Sequence, residues 1–155
     1  MDVSKMIFVF GSNEGGIHGG GAARFAYKER GARWGLSYGH FGQSFAIPTK
    51  GFKMIRNHEG RNSESMVVGD TLSLAQIKDY VRGFLAYVRG HPELDFQMTC
   101  IGCGHAGLKH EDIAPMFVHC DKVSYPNLYF DNVWMHYFAA TGEMRQAGYN
   151  IWGTF

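Results

Sequence analysis

The sequence has little net charge, few cysteines and no long apolar run, and each shortage removes a class of explanation. Lysine and arginine total 15 against 14 aspartate and glutamate, a formal net charge of +1 with histidine neutral. A chain so balanced projects no field that would gather DNA, RNA or an anionic membrane. The longest apolar run near the start, Met6-Ile7-Phe8-Val9-Phe10, falls far short of the roughly 18 residues that span a bilayer, and no cleavage pattern follows it. Three cysteines, an odd number in a chain too large to need staples, point to a reducing compartment, and the expected location is cytoplasmic. Cys100-Ile101-Gly102-Cys103 with His105 invites a zinc reading. No second Cys-x-x-Cys or histidine pair stands at ligand spacing, and only His110 and Cys120 supplement it, so neither metal nor cofactor is expected. Repeats, linkers and low-complexity segments are also missing.

What is present fits one soluble domain: 155 residues, 45% hydrophobic and 19% charged. The excess is in glycine. There are 21, close to twice the average usage of about 7%. Six fall within Gly11–Gly21 and three within Gly102–Gly107. Because glycine carries an entropic penalty, clusters of it mark tight turns or close backbone approach.

The order of elements gives those clusters a setting. Residues 6–10 read as a buried strand, followed by the first glycine loop and a helix over 22–30 stopped by Gly31. Ser44–Ile47 reads as a short strand ended by Pro48, and residues 56–70 as an exposed polar loop. Leu72–Arg89 is the clearest helix, with Ser73 and Gln76 as a capping box and Leu74, Ile77, Val81, Phe84, Leu85 and Val88 as one stripe. Phe96–Ile101 reads as a strand entering the second glycine loop, Glu111–Val118 as a short helix and Asp131–Ala140 as another. Strand, glycine loop and helix thus occur twice in an alternating α/β order. This predicts a largely parallel or mixed sheet covered by helices, with ligands at the carboxyl ends of its strands.

Glycines ahead of a helix leave backbone N–H groups and the helix N-terminus free to meet an anion such as a diphosphate. Within the first loop, Asn13 can position a water or ribose hydroxyl, or close an Asx turn. His18 is a candidate acid, base or phosphate donor, or a polar residue on the rim. Cys103 is a weaker nucleophile candidate, its thiol expected to be lowered by His105 and an anion-binding loop. Arg24 and Lys50 carry charge that can reach a phosphate. Trp134, Tyr137, Phe138, Tyr149, Trp152 and Phe155 read as core.

The run Gly11-Ser12-Asn13, then Ile17-His18-Gly19-Gly20-Gly21-Ala22-Ala23 and a helix ending Arg30-Gly31-Ala32, resembles the ADP-ribose-binding loop of macro domains. Gln43-Ser44-Phe45-Ala46-Ile47-Pro48-Thr49 resembles that family's next strand, and Ile101-Gly102-Cys103-Gly104-His105-Ala106-Gly107-Leu108 its second phosphate loop. The likeness covers about residues 6–118, as order and motif rather than close identity. It implies a three-layer α/β/α domain with a mixed central sheet. In that arrangement Asn13 lies near the distal ribose, Gly19–Ala22 along the diphosphate and Cys103–Leu108 on its other side, with Gly11, Ser12 and Thr49 completing the site. Only five residues precede the first strand, where macro domains carry the loop that recognises adenine. A fainter likeness joins the three glycines to poly-ADP-ribose glycohydrolases, but Lys28-Glu29-Arg30 puts an arginine where those enzymes have their catalytic acid. The Pro-Gly-Gly-x-Gly-Thr motif of nucleotide phosphoribohydrolases is absent.

The expected ligand is therefore ADP-ribose or a related NAD-derived nucleotide, free or carried on a macromolecule. Two roles stand open: an ADP-ribosyl hydrolase using Asn13 and His18, and a reader or sequestering protein without turnover.

Overall fold

A computed structural model describes residues 2–57 and 63–153. After a 3-10 turn at Val3–Lys5, the chain runs through β1 (Ile7–Asn13), α1 (Gly21–Glu29), β2 (Gly39–Phe41), β3 (Ser44–Arg56) and β4 (Glu64–Thr71). It continues with α2 (Leu74–Gly90), β5 (Phe96–Met98), α3 (His110–Ile113) with a 3-10 turn at Ala114–Phe117, β6 (Leu128–Asp131), α4 (Val133–Ala140) and β7 (Asn150–Trp152). Among the described residues this is a mixed seven-stranded sheet with four α-helices. None of those helices is long and apolar enough to cross a membrane.

The sheet order is β2-β3-β1-β5-β6-β7, with β4 paired to β3. From β3 through β1, β5 and β6 to β7 neighbours are parallel, whereas β2 and β4 run antiparallel to β3. The apolar run of β1 is unbroken because both faces of that strand are covered. Ile7 and Val9 face a large core with Ile77, Val81, Phe84, Phe117 and Trp134. Phe8 and Phe10 face a small one with Ala23, Ala26, Ala32 and Ala46. Helix α1 therefore covers one side of the sheet, and α2 covers the other with α4. That is the three-layer α/β/α arrangement.

Helix α2 begins with a complete capping box: Ser73 Oγ accepts from Gln76 N at 3.2 Å, and Gln76 Oε1 accepts from Ser73 N at 3.0 Å. Its stripe Ile77, Val81, Phe84, Leu85 and Val88 is buried, while Leu74 in the first turn stays 39% exposed. In the C-terminal region Trp134 and Phe138 are wholly buried. Trp152 donates from its indole to Met98 O at 2.8 Å. Phe155 lies outside the described residues.

Several boundaries differ from the sequence reading. Pro48 does not end its strand. β2 covers only Ser44–Ala46, so Pro48 has no ladder partner on that side and its missing N–H breaks no bond there. Of residues 56–70, expected as loop, Arg56 ends β3, 64–70 belong to β4, which pairs with β3 from Lys50↔Thr71 to Arg56↔Glu64, and 58–62 lie outside the described residues. β5 stops at Met98 rather than Ile101. The helix expected over 111–118 splits into α3 and a 3-10 turn at Pro115, and Asp131 ends β6 instead of opening a helix.

Candidate functional site

The chain leaves β1 towards β3 by way of α1 on one face, and reaches β5 on the other side of β1 by way of α2 on the opposite face. This reversal opens a crevice beyond the carboxyl ends of β1 and β5, the place where open α/β sheets hold ligands. β1 and β5 are direct parallel neighbours, pairing Ile7↔Phe96 through Val9↔Met98. The two glycine loops that follow them therefore face one cleft of about 410 Å³, within the range of small-molecule sites.

Gly11, Ser12, Asn13 and Thr49 line its floor, Gly19, Gly20 and Ala22 one wall, and Gly102, Gly104, His105 and Ala106 the other. Of the remaining candidates, Cys103 and Leu108 pack against the large core instead, and Gly21 and Gly107 are exposed beside the cleft rather than lining it. Arg24 is exposed on α1. The cleft also takes Ile17, Ala23, Lys50, Val68, Thr99, Cys100 and Ile101. Lys50 was legible as a charge able to reach phosphate. Val68 was hidden by reading its strand as loop, although Met66-Val67-Val68 is an apolar, β-branched run of the kind that marks strands.

The glycines divide into two kinds. Some are required by the fold. Gly16 has φ +67°, and a Cβ there would lie 2.4 Å from the Gly35 carbonyl carbon. Gly21 has φ +55°, and a Cβ would strike the His105 ring at 2.7 Å. Others have no such reason. Gly20 is extended, at φ −154°, and its Cβ would find only His105 Nε2 at 3.8 Å. Gly19 and Gly104 would meet nothing within 4 Å. At these three positions neither packing nor backbone conformation calls for glycine, and the side-chain space they leave open belongs to the cleft.

Unpaired backbone donors lie on both glycine loops. No side chain caps the N-terminus of α1, and the first N–H groups of a helix have no intrahelical acceptor. In the second loop the amides of Cys103, Gly107 and Leu108 are bonded internally, to Cys100 O, Gly104 O and Gly102 O. Among the described residues, those of Gly104, His105 and Ala106 have no partner within the chain. The second loop is held in place from outside by Thr71, whose hydroxyl donates to Ala106 O at 2.7 Å.

Asn13 is buried, and both ends of its amide bind Ile17: Nδ2 donates to Ile17 O at 2.7 Å and Oδ1 accepts from Ile17 N at 2.9 Å. It closes the first loop, leaving one N–H and one lone pair for anything else. Ser12 donates to Ser37 O and Thr49 to Ser12 O, so both hydroxyls are used internally.

His18 is not among the residues lining the cleft. Its ring is 1% exposed and packs edge-on to Phe10 and Trp34, with Tyr27 tilted above it. Nε2 lies 2.9 Å from Arg33 O, so that nitrogen carries the proton, while Nδ1 has no partner. Burial lowers its pKa below the ordinary 6.5. The isoleucine and histidine of the loop point to opposite sides, which turns His18 from a candidate acid or base into a packing residue. The thiol expectation also fails: burial pushes Cys103 up to about 11 and Cys100 to about 12, so neither is a thiolate near neutrality.

Among the described residues, Lys50 and His105 are the charged or chargeable nitrogen side chains on the lining, and no aspartate or glutamate lies there. Among the described residues no group of three or more histidine, cysteine, aspartate or glutamate side chains could hold a metal ion. Arg30 is far from this chemistry: it donates to Met6 O at 3.2 Å and lies over the rings of Phe8 and Phe25. The cleft thus has unpaired amides on two of its loops, Lys50 and His105 on its lining, and small apolar residues between. No family model, curated protein or solved structure matches the chain.

Proposed function

We propose that this protein is a macro-like domain that binds ADP-ribose or a related NAD-derived nucleotide, free or attached to a macromolecule, with the diphosphate between residues 19–23 and 104–106. The observation that carries this reading is the presence of unpaired backbone amides in two loops lining one cleft, three of whose glycines (Gly19, Gly20 and Gly104) the fold itself does not require. Such amides, open to solvent, are free to exchange water for an acceptor, and an oxyanion with several oxygens suits donors from two loops. Lys50 supplies a compensating charge.

Binding has more support than hydrolysis. Removal of ADP-ribose requires a group to activate water or protonate a leaving group. The lining offers no carboxylate, Asn13 is engaged with Ile17, and His18 faces the small core. A reader or sequestering role follows.

The test is thermal unfolding with ADP-ribose, NAD and simple nucleotides. A ligand that binds only the folded state raises the midpoint, and Gly20→Glu, which places bulk and negative charge in the cleft, should abolish the shift while leaving the unliganded midpoint nearly unchanged. If millimolar diphosphate nucleotides leave the wild-type midpoint where it was, the reading is wrong.

A further inference from the structure

The cleft does not end at its glycine loops. Val68 lines it and stands opposite Phe52 in the β3–β4 register, with Met54 opposite Met66 as the next pair on the same face. These side chains form a continuous apolar wall, and three of them are half open: Phe52 is 47%, Met54 49% and Met66 45% exposed. Scattered apolar exposure is ordinary, whereas a contiguous patch running out of a cavity is the usual form of a ligand groove. The first loop leans on this wall. A Cβ on Gly15 would come within 2.8 Å of Met66 Sδ, 3.1 Å of Phe52 Cβ and 3.4 Å of Asn13 Oδ1. The wall, the loop and the cleft floor therefore meet at one point.

We infer that the Phe52–Met54–Met66 face of the β3–β4 hairpin receives a planar heteroaromatic ring carried on a ribose of the nucleotide held in the cleft. This rests on the nucleotide reading above and adds to it the part of the ligand beyond the phosphates. Three features select a ring as occupant. The wall begins inside the cleft at Val68, and one residue pair along a strand, about 7 Å, separates Val68 from Met66. A group joined through a ribose to a phosphate beside Lys50 is thereby placed over it. The side chains are a phenyl ring and two thioethers, which favour the face of an aromatic ring and offer no strong donor or acceptor to its edge. Among the described residues of this face, charge appears where the wall ends, at the Arg56↔Glu64 pair. A surface of this kind selects for flatness and polarisability and tolerates different ring substituents.

The ring has two chemical sources, the adenine or the nicotinamide of an NAD-derived ligand, and calorimetric titration separates them. Wild type, Phe52→Ala and Phe52→Trp are titrated with ADP-ribose, which carries adenine alone, and nicotinamide mononucleotide, which carries nicotinamide alone. NAD carries both rings; ribose 5-phosphate and inorganic diphosphate carry neither. Phe52 is exposed, so neither substitution disturbs the core. The expected result is about tenfold weaker binding of the ring-bearing probe that uses the wall to Phe52→Ala. Phe52→Trp should retain that affinity, and binding of the ringless probes should not change. Loss with ADP-ribose assigns adenine, and loss with the mononucleotide assigns nicotinamide. Undiminished binding of every ring-bearing probe by Phe52→Ala, or an equal loss with ringless ones, overturns the ring assignment while the nucleotide reading stands. If wild type binds none of the probes, both fall. A wild-type dimer in sedimentation that Phe52→Ala dissociates, with affinities unchanged, gives the face to a second copy of the chain and also overturns the proposal.

Discussion

Asn13 shows how one side chain can look catalytic in a sequence and prove architectural in the fold. Its two bonds to Ile17 set the exit of the chain from β1 and hence the position of Gly19 and Gly20. Removing them exposes no charge but leaves two backbone groups of Ile17 short of partners, which costs about 1–3 kcal/mol in a buried setting. Asn13→Ala should therefore lower both the unfolding midpoint and nucleotide affinity, in contrast to a residue that only touches a ligand. Calorimetry together with thermal melts of the same variant distinguishes the two. His18 makes the second prediction. Its folded pKa is held below the ordinary 6.5 by burial, so the unfolded chain binds a proton there more readily than the folded one. Stability is then fully present above about pH 6.5 and lost as pH falls below it. Between pH 8 and pH 5 the melting temperature should drop, and His18→Phe should reduce that drop. His119, also lowered by burial, should leave a residual slope. The carboxylates of Asp2 and Asp121, held below 3.8, titrate further down and do not confuse the window. A wild-type slope identical to that of His18→Phe would show that the ring is not the sensor.

At the scale of elements, what could be read from the sequence depended on how local its cause was. Helix α2 was legible to within two residues at its start, with Leu74 exposed rather than in the buried stripe, because a capping box and a 3.6-residue stripe are both written within one stretch of chain. β1 and its glycine loop were legible because a short apolar run before glycines has few alternative meanings. The β3–β4 hairpin was not. Pro48 reads as a terminator unless it is known that β2 stops short of it, and that depends on a segment paired from elsewhere in the chain. With the hairpin lost, Val68 and the wall beyond it were lost from the site. The glycine loops that line the cleft could be seen in the sequence, whereas the side on which Ile17 and His18 fall depends on a loop closed by Asn13, which residue type alone does not set. One element-level contact is open to direct test. The hydroxyl of Thr71 at the end of β4 holds the second loop through Ala106 O. Thr71→Val removes that bond at similar volume, and the loss of a neutral bond at an exposed position is about 0.5–1.5 kcal/mol. The unliganded midpoint should fall by only a few degrees, while nucleotide affinity should fall several-fold as the Gly104–Ala106 amides lose their alignment. Unchanged affinity in titration would show that the second loop keeps its shape without this tie.

For the molecule as a whole, the two faces of the sheet are unequal. The large core joins residues from α2, α3, α4 and most of the strands, whereas under α1 the apolar cluster among the described residues is Phe8, Phe10 and four alanines, with the buried His18 ring packed beside Phe10. Alanine contributes little apolar area, and a helix resting on so little has a lower free energy of local opening than one embedded in a full core. The helix to which the proposed site assigns phosphate-facing amides is thus the one whose amide protons should exchange first with solvent. In deuterium-exchange mass spectrometry, α1 should label well before α2 in the free protein. A bound nucleotide should slow α1 strongly and α2 little, because its phosphates replace the missing cap. Equal protection of the two helices before ligand is added would contradict this. If the order holds, α1 is an ordering element whose rigidity is completed by the ligand, so part of the measured affinity would reflect the ordering of this helix rather than contacts alone.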